Sequence, residues 1–208
     1  MIKVHHLNNS RSQRILWALE ELGLEYEIIQ YQRDAETRLA PESLREIHPL
    51  GKSPVLEDGD VKIAESGAII EYLIRTYGGG KFAPAADSAA YNKYVEWMHY
   101  AEGSAMLPLL LGLYTSLLGE AAAPLQPRIQ SEFANHFGYM AQSLGEQQYF
   151  MGDELTGADF MLSFPMEAAN SKGALGFFPN LDAYMKRIEA REAYKRALER
   201  GGPYKLGA

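Results

Sequence analysis

The fold turns on residues 48–73, HPLGKSPVLEDGDVKIAESGAIIEYL. Pro54–Glu57 and Val61–Ile63 are short apolar runs on either side of Asp58-Gly59-Asp60, a turn sequence at hairpin spacing. From Ser66 to Tyr77 the period changes. Ile69, Ile70, Leu73 and Ile74 fall on one face of a helix, and Gly78-Gly79-Gly80 stops it. Upstream, Ile2–His6 and Tyr26–Tyr31 predict strands. Between them Gln13–Leu22 predicts a helix, with Ile15, Leu16, Leu19 and Leu22 on one face and Gly23 at its C-terminus. Pro41–Ile47 predicts a further short helix. The first half is a βαβ unit, right-handed with parallel strands. The second half is an antiparallel hairpin plus helix. Together they predict a four-stranded mixed sheet with helices on both faces, over residues 1–80.

Past this region the composition shifts. Gly78–Ser88, GGGKFAPAADS, reads as a linker. Strand signals then nearly vanish, and Ala89–Leu118, Pro124–Leu144, Thr156–Ser171 and Leu181–Arg200 each predict a helix. Tyr91, Tyr94, Trp97 and Met98 lie close to a single helical stripe. Residues 88–208 are therefore expected to form an all-α second domain.

The chain has 208 residues, of which 47% are hydrophobic and none is cysteine. This excludes disulfides, Cys-ligated zinc, iron–sulfur clusters and a cysteine nucleophile. Any thiol chemistry must use a thiol brought in by a ligand. A formal net charge of −7 argues against nonspecific nucleic-acid binding. Met106–Leu118, the most apolar segment, is broken by Pro108, Gly112, Thr115 and Ser116, so no membrane span is expected. The N-terminal MIKVHHLNNS has no long apolar run and predicts no signal peptide. Among His5, His6, His48, His99 and His136 there is no H-x-x-x-H or H-E-x-x-H spacing, and no metal site is expected. A phosphate-binding glycine motif is absent as well.

Four short motifs carry candidate chemistry. Ser10-Arg11-Ser12-Gln13-Arg14 joins the first strand to the first helix. Ser10 and Gln13 have capping-box spacing, and a serine at a helix N-terminus can equally hold an anion such as a thiolate. Lys52-Ser53-Pro54 enters the third strand. A cis bond before Pro54 would turn the Ser53 backbone outward, free to pair with a peptide-like ligand, whereas a trans proline would make a plain loop. Glu65-Ser66 opens the third helix. Ser66 is a natural N-cap whose neighbouring N–H groups suit a carboxylate, and Glu65 beside it suits an ammonium. Together they match the α-amino-acid end of a ligand, or else a capped helix beside a surface carboxylate. Thr156-Gly157-Ala158-Asp159 has capping-box spacing and reads as structural.

These motifs occur in an order that resembles the cytosolic glutathione transferase superfamily over essentially the whole chain. The residues that carry the resemblance are Ser10–Arg14 with the following ILWALEELGLEYE, then HPLGKSPVLEDGD, then IAESGAIIEYL, and later TGAD at position 156. NSRSQRILW together with YVEWMHYAEGS is most similar to a bacterial and fungal, serine-type branch. The resemblance implies an α/β thioredoxin-like glutathione-binding domain over 1–80 and an all-α substrate-binding and dimerisation domain over 88–208, in a cytoplasmic homodimer. It implies that Ser53 holds the cysteinyl part of glutathione through its backbone, with Pro54 cis. It assigns the γ-glutamyl end to Glu65 and Ser66 and the glycyl carboxylate region to Lys52. Ser10, four residues before Arg14, is the implied catalytic hydroxyl. Ser12 is the alternative, and Asn8 or Asn9 could donate instead. No tyrosine lies within residues 2–12. His48 departs from the asparagine common before Pro49, with an expected effect on the local turn.

Tyr100, Ser104, Met106 and Leu107 are candidate walls of a hydrophobic substrate pocket, with packing in the helical core as the competing role. Glutathione is expected as co-substrate, without a metal or other cofactor. The expected reaction is conjugation of its thiolate to a small hydrophobic electrophile. The alternatives are glutathione-dependent peroxide or disulfide reduction, and a noncatalytic binding module on the same fold.

Overall fold

The computed structural model describes residues 1–206; positions 207 and 208, where the expected second domain ends, lie outside the described residues. The elements of the first eighty residues are β1 (Ile2–Leu7), α1 (Gln13–Leu22), β2 (Tyr26–Tyr31), α2 (Leu44–Ile47), β3 (Val55–Asp58), β4 (Val61–Ala64) and α3 (Ser66–Tyr77). The sheet order is β2-β1-β3-β4, with β1 parallel to β2 and antiparallel to β3, and β3 antiparallel to β4. Asp58 pairs with Val61, so Gly59 and Asp60 form the hairpin turn, with Gly59 at φ 57°. Gly23 ends α1 in the left-handed conformation, φ 67°, as its position predicts.

The helical elements that follow are α4 (Ala89–Tyr100), a π-helical turn (Ala101–Ala105), α5 (Met106–Ser116), a 3-10 segment (Gly119–Leu125), α6 (Gln126–Leu144), α7 (Gly157–Asn170), a second 3-10 segment (Ala174–Phe177), α8 (Pro179–Glu189) and α9 (Glu192–Gly201). Two differences from expectation stand out. The helix expected over Ala89–Leu118 changes winding at Ala101–Ala105. The helix expected over Leu181–Arg200 is two helices, parted where Arg191 takes an extended conformation, φ −68° and ψ 135°.

That break changes the domain division. One compact unit comprises Met1–Phe82 together with Ile188–Leu206, and the other comprises Ala83–Arg187. The expected helical stretch 88–208 thus gives up its last helix to the first unit. There α9 packs along α1. Its buried residues Ala193, Tyr194, Ala197 and Gly201 form one stripe, mostly of small side chains that allow close approach. A Cβ at Gly201 would come within 2.8 Å of Gln13 Oε1 and 2.9 Å of Leu16 Cδ1. Trp17 packs edge-on against Tyr194, with ring centroids 5.5 Å apart. The contact is flanked by ion pairs from Arg191 to Glu21 and from Arg196 and Arg200 to Glu20. This second cover explains why α1 is buried from Gln13 through Leu19, where a single apolar stripe would bury only one face.

In the helical unit α7 forms the centre, buried from Gly157 through Met166. Its start is the predicted capping box: Thr156 donates from its backbone N–H and its hydroxyl to Asp159 Oδ2, at 2.8 and 3.0 Å. Tyr94, Trp97 and Met98 of α4 are buried along the predicted stripe, and Trp97 meets Phe150 edge-on at 4.9 Å.

Candidate active site

Three segments meet at one end of the sheet. Register places them there: Ser53 lies two residues before Val55, which pairs with His5 of β1 on one side and with Ala64 of β4 on the other. The end of β1, the approach to β3 and the exit from β4 are therefore neighbours. Glu65 and Ser66 follow Ala64 directly.

Leu7 links the first two segments. Its N–H donates to Ser53 Oγ at 3.1 Å, and its carbonyl accepts from Ser10 Oγ at 2.7 Å and Ser12 Oγ at 3.2 Å. The Ser53 hydroxyl donates in turn to His5 O at 2.8 Å. Ser53 thus continues the β1–β3 ladder with its side chain. Its own N–H and C=O enter none of the backbone hydrogen bonds of the described turns. The Ser53–Pro54 bond is cis, and Gly51 before it turns at φ 58°. Pro54 is buried, Ser53 half-buried and Lys52 exposed.

Ser10 and Ser12 sit inside a chain of hydrogen bonds that begins on His6. The Gly201 carbonyl can only accept, so His6 Nε2 carries the hydrogen across their 3.1 Å contact. Burial holds the His6 pKa down at about 4, so the ring is neutral and Nδ1 is an acceptor. The Ser12 hydroxyl has one proton and donates it to Nδ1 at 2.8 Å, the shorter of its contacts, with Leu7 O at 3.2 Å a secondary acceptor. Ser10 Oγ lies 2.7 Å from Ser12 Oγ and accepts the Ser12 N–H at 3.2 Å. The single Ser10 proton is shared between Ser12 Oγ and Leu7 O. Both hydroxyl protons therefore point inward. The expected Ser10–Gln13 capping box does not form: Ser12 is the N-cap residue without a side-chain cap bond, and the Gln13 amide is buried with no hydrogen-bond partner.

The buried imidazole makes stability depend on pH. The unfolded state takes a proton near pH 6.5 and the folded state only near 4, so the unfolded state binds more protons between the two. Stability is full above about pH 6.5 and falls by roughly 3 kcal/mol as pH drops toward 4. Urea melts at pH 7, 5.5 and 4 measure this loss, and His6→Gln is expected to flatten that part of the profile.

The third segment carries its own strain. Glu65 is the N-cap of α3 and lies at φ 69°, ψ 121°, in the half of conformational space that favours glycine. Ser66 is buried and is the first helical residue, one position later than a serine N-cap would stand. As at any helix start, the N–H groups of Ser66, Gly67 and Ala68 have no intrahelical acceptor.

The candidate pocket residues belong to the helical unit. Tyr100 donates to His136, with Nδ1 at 2.8 Å, and burial raises its phenol pKa. Ser104 lies in the π-helical turn and is half-buried. Met106 is buried in the helical core, so it takes the packing role, whereas Leu107 is half exposed, at 51%. His6, Leu7 and Gly201 escaped the sequence reading. The His6–Gly201 contact comes from the return of α9, and Leu7 acts through its backbone alone, so no local side-chain pattern announces either. Among the described residues no three His, Asp or Glu side chains are grouped to hold a metal ion.

The chain is similar to known proteins over nearly its whole length. Residues 1–75 match the glutathione S-transferase N-terminal domain and residues 111–200 the glutathione S-transferase C-terminal domain. Glutathione S-transferase 3 of Schizosaccharomyces pombe is 36% identical, over 96% of this chain and 88% of its own length. Glutathione S-transferase 1 of Saccharomyces cerevisiae is 31% identical, over 96% of this chain and 95% of its own. A crystal structure of a glutathione S-transferase from Actinobacillus pleuropneumoniae superposes with a TM-score of 0.89 at 39% identity, covering 97% of this chain and 93% of that one. The chain belongs to the glutathione S-transferase family. It is a glutathione transferase, with the thioredoxin-like and all-α folds of that family and glutathione as its co-substrate.

Proposed function

We propose that this transferase conjugates the thiolate of glutathione to small hydrophobic electrophiles. The observation that carries the reading is the meeting of Leu7, Ser53 and Glu65 at one end of the sheet. In this reading the unpaired backbone of Ser53, set by cis-Pro54, pairs with the cysteinyl residue of glutathione. The γ-glutamyl carboxylate lies at the start of α3 by Ser66, and its ammonium lies against Glu65. Lys52 faces the glycyl carboxylate. The sulfur lies at the turn between β1 and α1. Ser10 is the hydroxyl of that turn and Ser12 the alternative, and either must rotate its proton out of the inward chain to reach a sulfur.

The energies required are modest. A free thiol titrates near 8.5, and lowering it by about two units takes about 2.7 kcal/mol of preferential thiolate stabilisation. One hydrogen bond to the charge contributes about 1.5–3 kcal/mol and a helix N-terminus about 0.3–1 kcal/mol. Together they suffice.

For the electrophile, Tyr100 and Ser104 offer polar edges, and Leu107, Leu111 and Tyr114 offer exposed apolar surface along α5. Among the described residues no helix is long and apolar enough to cross a membrane. The reading places the protein in the cytoplasm as a homodimer, which light scattering on the purified chain tests. The activity test is a panel: glutathione binding by calorimetry, then turnover of an aryl halide, cumene hydroperoxide and a glutathione mixed disulfide. Preferential turnover of the aryl halide supports conjugation. Turnover confined to the peroxide or the disulfide replaces it with reduction, and absence of both binding and turnover leaves a noncatalytic module.

A further inference from the structure

Beyond the serines, the turn between β1 and α1 carries two side-chain amides, Asn8 and Asn9, whose Nδ2 groups donate to no described residue; of the two, only Asn9 has a strained backbone. Asn9 stands between β1 and Ser10 at φ 49°, in the left-handed region that asparagine tolerates better than most side chains. The surrounding structure holds it there. Arg33 donates through Nε to Asn8 O at 3.2 Å and through Nη2 to Asn9 O at 3.3 Å, while its backbone N–H donates to Asn8 Oδ1 at 2.8 Å. The Asn9 amide is oriented as well. The backbone N–H of Lys205 donates to Asn9 Oδ1 at 2.6 Å, which fixes the oxygen on that side and turns Nδ2 to the other. Nδ2 donates to no described residue, and Asn9 is half-buried, not closed off.

We infer that the Asn9 side-chain amide, and not the Ser10 or Ser12 hydroxyl, donates the hydrogen bond that stabilises the glutathione thiolate. The inference rests on the proposed placement of the sulfur at this turn. Three observations converge on it. The serine protons are engaged with Leu7 O and His6 Nδ1. The Asn9 donor is free. The backbone that presents it is clamped in a conformation of higher energy, a cost that a plain turn could shed by carrying glycine. The amide transfers no proton: the thiol proton leaves to water, Nδ2–H remains on nitrogen, and as sulfur bonds to the carbon of an aryl halide the carbon–halogen bond breaks and halide leaves with the bonding pair. Ser10 and Ser12 then act on geometry. They fix the Leu7 carbonyl and the first turn of α1, against which Asn9 is set.

The test compares Asn9→Gly, Asn9→Asp and Ser10→Ala. Glycine accepts φ 49° without strain, so Asn9→Gly removes the donor and keeps the fold. Asn9→Asp keeps an oxygen for the Lys205 N–H and replaces the donor with a charge that repels a thiolate. The readout is the pH titration of the thiolate absorbance of bound glutathione, followed by the pH profile of kcat/KM. In Asn9→Gly the thiol titration is expected to move upward, with kcat/KM at pH 7 falling roughly 10- to 100-fold. Asn9→Asp is expected to fall at least as far, and Ser10→Ala is expected to shift the titration less than Asn9→Gly. An unmoved titration in Asn9→Gly, or a larger shift in Ser10→Ala, overturns the inference. Glutathione binding to the unmodified protein is measured first. Its absence would remove the proposed site and this inference with it, whereas binding with an unmoved Asn9→Gly titration removes the inference alone.

Discussion

Replacing Asp159 with alanine is expected to destabilise the protein by about 4 kcal/mol, a large share of the roughly 5–15 kcal/mol that holds a typical domain together. Asp159 is fully buried and accepts four hydrogen bonds: Phe150 N–H at 3.0 Å and Tyr184 O–H at 2.8 Å on Oδ1, and Thr156 N–H and O–H at 2.8 and 3.0 Å on Oδ2. Burial pushes the carboxyl pKa up, against the pull of these four donors. Alanine removes every acceptor at once and strands donors that water cannot reach, each at a cost of about 1–3 kcal/mol. The same substitution cuts the start of α7 from the loop at Phe150 and from Tyr184 of α8. Asparagine keeps one acceptor oxygen but turns an N–H₂ toward donors on the other side, so Asp159→Asn is expected to lose somewhat less. Urea unfolding followed by far-UV circular dichroism checks both. Wild-type-like midpoints would show that the carboxylate is not a structural centre of the helical unit.

The two stretches with capping-box spacing, only one of which forms the box, show what a local pattern can and cannot say. Thr156 and Asp159 lie three residues apart, and the bonds between them close within a single turn, so a local spacing can register them. Ser10 and Gln13 have the same spacing and make no such bond. The Ser12 hydroxyl is drawn instead to His6, itself held by Gly201 from the far end of the chain. A pattern confined to four residues cannot register a partner that distant. The hairpin, α1 and α3 were legible for the same reason as the first box: their signals are periodicity and turn residues, both short-range. The break at Arg191 was not, because the periodic pattern runs through it. What parts α8 from α9 is tertiary. Arg191 takes an extended conformation and pairs with Glu21 of α1, and α9 packs along α1 with Ala193, Ala197 and Gly201 buried. The candidate site divides the same way. Ser53, Glu65 and Ser66 could be named from motifs, whereas the inward orientation of Ser12 depends on His6, which the returning helix holds.

The second large effect is expected at Glu65, where stability and binding should move in opposite directions. Its φ of 69° costs a non-glycine residue of order 1 kcal/mol or more. Glu65→Gly relieves that strain and is expected to raise Tm by about 2–4 °C. If the carboxylate holds the ammonium of the γ-glutamyl group, the same variant weakens glutathione binding by tenfold or more, the worth of one charge-assisted hydrogen bond near 1.5 kcal/mol. Glu65→Gln separates the two effects. It keeps a side chain in the strained conformation and so leaves Tm near that of the parent, but it removes the charge and is expected to raise the glutathione dissociation constant about tenfold. Calorimetric titration with glutathione and thermal melts on the same samples provide both numbers. A Glu65→Gly protein that is more stable and still binds glutathione at full strength would leave the strain without a functional reason and would remove Glu65 from the binding site. The opposite-sign result has a plain physical meaning: a chain that retains a strained glutamate where glycine would be more stable is using that side chain for something other than folding.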